Sequence, residues 1–348
     1  MSNFNHIRKT RRMQSPGPCP IPLHPPVTWL RHPPQHWQAG TLDVAALSAA
    51  ALALSQQPGF DLALRHFALC WQQGYESSPV LNSVMRNSAR YVLLLACLSL
   101  DHVRDPALPE VSVTPGRILR FYERIDRNLV AGGPSRIKTI LGHVRAAGLL
   151  QPSTNMNIKA GAGDARRRPL EPTPALRQAM AGYVAGFLRG IAPVLPLPAA
   201  PEVMAQTPGF VGELFTYRLA ALLHDRFSIN QGLPALTWVT NREKGYALLL
   251  NLMRHLSLHD DGTALVAGVP QQMARIAGIS RGSASNFVLA FIEQGWMVAG
   301  NGHTYTLQPG FVVQLMQWMG REFVWMHALA CAAYAACGAP TQNRLVGS

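Results

Sequence analysis

The stretch Pro270-Gln271-Gln272-Met273-Ala274-Arg275-Ile276-Ala277-Gly278-Ile279-Ser280-Arg281 decides how this chain is read. Proline suits the first position of a helix, where its missing N–H has no intrahelical partner to lose. Met273, Ile276 and Ala277 supply a short apolar face, and Gly278 suits the left-handed residue that ends such a helix. Ile279 plugs the turn, and the Ser280 hydroxyl can cap the next helix by accepting a backbone N–H. That helix is expected over residues 281–294, where Ala284, Phe287, Val288 and Phe291 recur at helical spacing as one buried stripe. Its opposite face, near the start, offers Arg281, Ser283, Ser285 and Asn286, and Gly295 stops it.

Upstream, residues 242–256 read as an amphipathic helix with Tyr246, Leu249, Leu250, Met253 and Leu256 on one stripe, followed by a short strand at Leu265-Val266-Ala267. Downstream, Trp296–Ala299 reads as a strand, Gly300-Asn301-Gly302 holds the Asn-Gly pair of tight hairpins, and His303–Leu307 returns as a second strand. Helix, helix, turn, helix, hairpin is the winged helix-turn-helix order. Over residues 241–322 the chain resembles the DNA-binding domains of Crp-type and MarR-type transcription regulators, with Ala277-Gly278-Ile279-Ser280-Arg281 and the Gly295-Trp296 helix end carrying the likeness. The resemblance implies a recognition helix whose N-terminal end meets base edges in the major groove, so Arg281, Ser283, Ser285 and Asn286 become candidate DNA contacts. No cyclic-nucleotide-binding barrel of the Crp kind is visible upstream.

The first half repeats the pattern. Aligning Gly148 with Gly295 sets Ile137, Ile140, Leu141 and Val144 against Ala284, Phe287, Val288 and Phe291, and Leu170-Glu171-Pro172 against Leu307-Gln308-Pro309. Gly133-Pro134 would start this copy's recognition helix, with Ser135, Arg136, Lys138 and Thr139 on its exposed face. Its wing is longer and holds Arg166, Arg167 and Arg168, suited to phosphate contact or minor-groove insertion. The preceding helix is expected over Thr114–Ile125, at a long distance from Gly133 for a tight turn, which points to a broader winged-helix type. Residues 114–170 carry eleven basic against three acidic side chains, whereas 241–320 carry five against four, so the first copy is expected to be the main DNA anchor.

The remaining sequence frames these two units. Residues 1–40 are proline-punctuated and start basic, a disordered tail by composition. Residues 41–190 form a helical region around the first unit: Thr41 is a plausible N-cap, Phe60–Gln73 has helical spacing, and Ser78-Pro79 opens a helix running to about Leu100. A proline-rich connection at 191–208 reads as a linker, 209–338 holds the second unit with flanking helices (Val211–Phe227 among them), and 339–348 is a tail. The run Phe323–Cys337, stopped upstream by Arg321 and Glu322, reads as a buried or self-associating helix rather than a membrane span, leaving a homodimer through the C-terminal helix open. The aromatic stripe Phe311, Leu315, Trp318 and Trp325 points to core or dimer seam rather than a ligand box.

Charge and composition narrow the function. With 31 Lys+Arg against 18 Asp+Glu the net charge is +13, which favours a polyanionic partner. Five cysteines at wide spacing do not form a disulfide framework, and no secretory leader is visible, so a reduced, cytoplasmic, nucleoid-associated location is expected. Cys19, His24, His32 and His36 lack a Cys-x-x-Cys pair, His255 and His259 lack a third ligand, and no phosphate-binding glycine loop or nucleophile elbow appears, so neither a cofactor nor a metal is expected. Scarce carboxylates argue against an enzyme. The sequence thus predicts a mostly α protein with two small wing hairpins, in two winged helix-turn-helix units with additional helices, that binds duplex DNA in transcription regulation. A plasmid-type replication initiator with two winged-helix domains, and a winged-helix protein-interaction module without DNA, are the alternatives.

Overall fold

Prolines set where many helices begin: Pro79, Pro115, Pro134, Pro174, Pro201, Pro234 and Pro309 each occupy a first helical position. There the fixed φ is already helical and no hydrogen bond is forfeited. Side-chain caps add to this, with Asn87, Thr114 and Thr173 each accepting a backbone N–H of the first turn that follows. The computed structural model describes residues 44–76, 78–85, 87–104, 113–125, 134–153, 169–224, 227–301 and 304–338. The tails at 1–40 and 339–348, Thr41 and the arginines 166–168 lie outside the described residues.

The first half runs through α1 (Val44–Ser55), α2 (Phe60–Glu76), α3 (Pro79–Val84), α4 (Ser88–His102), α5 (Pro115–Arg124), α6 (Pro134–Ala146), β1 (Leu150–Pro152), β2 (Leu170–Pro172) and α7 (Pro174–Ile191). The second half holds α8 (Pro201–Gln206), α9 (Phe210–His224), α10 (Pro234–Thr240), α11 (Gly245–Arg254), β3 (Ser257–Leu258), β4 (Ala264–Ala267), α12 (Val269–Ala277), α13 (Arg281–Glu293), β5 (Met297–Ala299), β6 (Thr304–Leu307) and α14 (Pro309–Gly338). The protein is mostly helical with small antiparallel sheets, as its sequence predicts.

Several elements differ from expectation. The helix expected from Ser78 to Leu100 is two helices, because the Asn87 side chain accepts the Arg90 N–H at 3.1 Å and starts α4 afresh. The helix expected over 242–256 is shorter, starting at Gly245. The second hairpin belongs to a four-stranded sheet of order β3-β4-β6-β5, in which Ala264 pairs with Leu307 and Leu265 with Thr306. Arg321 and Glu322 do not stop the C-terminal helix: α14 runs straight through them, and Glu322 is buried against Arg218 with Nη2–Oε1 at 2.7 Å. The proline-rich segment 191–208 contains α8, which lies against α7 and buries Met204, with Leu195 also inside.

The core is nearly continuous across both halves, from Leu47 of α1 to Ala333 of α14. The inward side of α14 contributes Phe311, Leu315, Trp318, Phe323 and Trp325, so its aromatic stripe is core within one chain. Phe67 of α2 meets Phe187 of α7 and Phe323 of α14 at ring-centroid distances of 4.8 and 5.0 Å. Where α1 crosses α14, Gly320 lets the backbones approach so closely that a Cβ there would lie 2.5 Å from the Ala51 carbonyl oxygen. Gly320→Ala must push α1 outward. We expect it to lower stability by about 1–3 kcal/mol, read as a lower urea midpoint with an unchanged slope; an unaltered midpoint would show that this contact is slack.

Candidate nucleic-acid interface

The turn between α12 and α13 closes on local chemistry. Gly278 takes the left-handed conformation, φ 59° and ψ 45°, and the Ile279 N–H donates to the Ala274 carbonyl at 3.1 Å. Ser280 Oγ accepts the Ser283 N–H at 3.1 Å, which fixes the start of α13. Ala284, Val288 and Phe291 are buried, while Phe287 is half-buried with its ring 5.8 Å from that of Trp238 on α10. Their burial turns the other side outward, so Arg281, Ser283, Ser285 and Asn286 are all exposed.

The first half is built in the same order. On α6 the stripe Ile137, Ile140, Leu141 and Val144 is buried, and Ser135, Arg136, Lys138 and Thr139 are exposed. Thr139 spends its hydroxyl on the Ser135 carbonyl at 3.1 Å. Both helices end identically. Gly148 and Gly295 have φ of 69° and 70°. The N–H groups of Leu149 and Trp296 donate to the carbonyls of Val144 and Phe291, each at 3.1 Å, giving the paired C-terminal closure that a left-handed glycine permits.

A hairpin follows in each case. Leu150 pairs with Pro172 and Met297 with Leu307, so the first hairpin is shifted by two residues relative to the proposed alignment. A residue from before the helix pair lies against each returning strand: Val113 bridges Leu170, and Ala264 pairs with Leu307. The base of the first hairpin is held by Glu171, which accepts from Gln151 Nε2 at 2.9 Å and Ser153 Oγ at 3.0 Å. The Gln151 bond, with Ser153 and the nearby Arg104 and Arg177 guanidinium groups, holds the Glu171 carboxyl below the ordinary range against the opposing effect of burial.

The chain between α10 and α11, with Trp238 of α10, links α6 to the inward stripe of α13, a feature that sequence reading missed. Glu243 Oε1 accepts from Asn87 Nδ2 at 2.8 Å and lies 3.8 Å from Arg136 Nη2 and 3.9 Å from Arg90 Nη2. Arg242 stacks its guanidinium 3.6 Å from the Trp238 ring centroid, and Trp238 packs on Phe287 and Phe291 of α13. Thus α6 touches one side of this corner and α13 the other. The corner is tight: Lys244 adopts φ 66°, and a Cβ at Gly245 would fall on the Val239 carbonyl oxygen. Arg242 and Glu243 entered the sequence reading only as charges, because the contacts that give them a role come from remote segments.

Among the described residues, Lys138 and Arg281 form no ion pair. No group of three metal-ligating side chains occurs among them, and no described helix is long and apolar enough to cross a membrane. Comparison with family models, curated proteins and solved structures finds no match to this chain.

Loss of the α13 cap tests how firmly its exposed front is set. Ser280→Ala should cost about 1 kcal/mol of stability and speed amide exchange selectively in the first turn of α13. Unchanged exchange there would show that tertiary packing alone fixes the helix start.

Proposed function

We propose that this protein binds double-stranded DNA in a sequence-specific manner through two winged helix-turn-helix units, as a transcriptional regulator and without enzymatic activity. The observation that carries the reading is a coincidence on α13: a buried stripe of Ala284, Val288 and Phe291 backs an exposed front of Arg281, Ser283, Ser285 and Asn286, with a hairpin directly behind. Such a front places short polar donors and one bidentate-capable guanidinium where base edges lie when a helix N-terminus enters the major groove. On the duplicated unit, Ser135, Arg136, Lys138 and Thr139 take the corresponding place on α6.

The two units have different tasks in this reading. Arg120, Lys138 and Arg145 are exposed on the first, and its wing sequence carries Arg166, Arg167 and Arg168, so it supplies the larger phosphate-neutralising share. Arg136 is partly neutralised by Glu243 in the free protein and exchanges that exposed ion pair for a phosphate on binding. The second unit, with a near-balanced charge, reads bases more than it anchors. A homodimer through α14 has only the outward side of that helix available, including exposed Val313, since the aromatic side is spent inside the chain.

One observation also favours the plasmid-type replication initiator. The two candidate recognition helices belong to one chain and border one corner, instead of being related by a dimer two-fold. A reader built that way has no need of a palindrome and suits direct, iterated sites. Footprinting separates the two roles, by protection of repeats at an origin or of promoter-proximal sites.

Selection of bound duplexes from a random pool tests the proposal. The wild type should enrich a defined motif. Arg281→Ala should relax preference at one position by about 1–3 kcal/mol, whereas Arg136→Ala should weaken all selected sequences alike. Failure to enrich any duplex, together with capture of a protein partner by the same faces, would favour the interaction-module alternative.

A further inference from the structure

The centre of the helical body contains a charged group whose hydrogen bonds are not all spent. Arg218 on α9 is buried and clamped to Glu322 of α14, with Nη2 2.7 Å from Oε1 and 3.0 Å from Oε2. Its guanidinium lies 4.5 Å from the Trp325 ring centroid and 5.5 Å from that of Tyr91. Nη1 has no partner. Burial is the largest influence on Arg218 and opposes its charge, but the Glu322 carboxylate together with Tyr91 and Tyr183 outweighs it, so the guanidinium titrates above its ordinary value. Burial pushes the Glu322 carboxyl up, with the guanidinium opposing it.

A cleft runs along this pair. It measures about 520 Å³ counted to its open mouth and is walled by Tyr91, Leu95, Arg218, Leu222, Phe227, Asn230 and Trp325, among others. A narrow recess behind Tyr91 and Arg218, with room for about one water molecule, is lined by Trp71, Trp318 and Glu322. Around these spaces the indole N–H groups of Trp71, Trp318 and Trp325 and the Asn230 Oδ1 are also buried without partners among the described residues. Asn230 is held in place through Nδ2, which donates to Thr240 Oγ1 at 2.8 Å. An unmet buried polar atom costs about 1–3 kcal/mol, so the three on residues that line the cleft, Arg218 Nη1, Trp325 Nε1 and Asn230 Oδ1, call for an occupant with matching groups. The mouth residues Leu222, Ser228 and Tyr246 are only partly buried, which marks where the cleft widens.

We propose that this cleft is a binding site for an uncharged planar aromatic or heteroaromatic molecule bearing a carbonyl and an adjacent N–H. The aromatic lining of Tyr91, Phe227 and Trp325 suits a ring. The carbonyl accepts from Arg218 Nη1 and an indole N–H, and the N–H donates to Asn230 Oδ1. Neutrality follows from the ion pair. Arg218 and Glu322 already balance, and an added carboxylate or ammonium would enter as an unpaired buried charge, the most costly group to desolvate. The site is separate from both DNA-facing fronts and does not rest on the proposed function.

Benzamide is the matched probe, with benzoate as its anionic counterpart and toluene as its apolar one, each titrated to about 10 mM into the full chain and followed by calorimetry and thermal melting. Benzamide should bind saturably and raise the melting temperature, with benzoate at least about tenfold weaker, a factor of ten being about 1.4 kcal/mol. Leu222→Trp, which plugs the mouth while leaving the ion pair intact, should abolish the response and retain the wild-type circular dichroism spectrum. Three results would each overturn the assignment: no saturable binding of benzamide, binding that survives Leu222→Trp, or toluene or benzoate binding as tightly as benzamide.

Discussion

A short helix that buries an apolar stripe against its own domain must turn its remaining side chains to solvent, and both exposed fronts in this protein arise from that packing. On α6 the buried set is Ile137, Ile140, Leu141 and Val144; on α13 it is Ala284, Val288 and Phe291. Burial of each Val, Leu, Ile or Phe in these sets stabilises by roughly 1.5–3 kcal/mol relative to exposure, far more than any exposed polar front contributes. Orientation is therefore set from inside, and the front residues are free to serve a ligand. Gly148 and Gly295 end the two helices in the same left-handed geometry, which returns the chain into a hairpin beside each front.

The surrounding helices hold these two units in one body. The inward side of α14 lies against α1, α7, α9 and α10, so a single thirty-residue helix spans elements from both halves. The Trp238–Glu243 corner links α6 to α13, by an ion pair to Arg136 on one side and a ring contact to Phe287 on the other. In the proposed function this rigidity fixes the spacing at which two recognition helices meet DNA. The Arg218–Glu322 pair sits in the same interior, where replacement by well-packed apolar groups is often neutral or stabilising; the unspent polar atoms beside it at an open cleft are the reason to assign it a ligand.

What the sequence disclosed was encoded over short range. Gly278 and Ser280 each act within one turn, and the stripe on α13 repeats within it, so the turn and the burial there were legible; the start of α12 was not, since the helix opens at Val269 after the left-handed Gly268 and Pro270 takes its second position. Val84 to Ser88 misled because apolar spacing continues across the break, while the cap at Asn87 depends on a single side chain. β3 is two residues long, too short to show an alternation, and it exists only because β4 pairs with it. The ion pair of Arg218 with Glu322 spans 104 residues, and Asn87 reaches Glu243 across 156. No local pattern announces such contacts. In a linear reading Glu322 looked like the end of an apolar run, whereas its partner makes it part of the core.

The central claim is that the exposed fronts of α6 and α13 meet the phosphates and bases of duplex DNA. The affinity of the full chain for a random duplex, followed from about 50 to 200 mM salt, tests it most directly. The account requires binding that falls linearly on logarithmic axes, with a slope of about −0.9 for each phosphate contacted, and a shallower slope when Lys138 is replaced by alanine. Absence of binding at the lowest salt, or an affinity indifferent to salt and to Lys138, would contradict it.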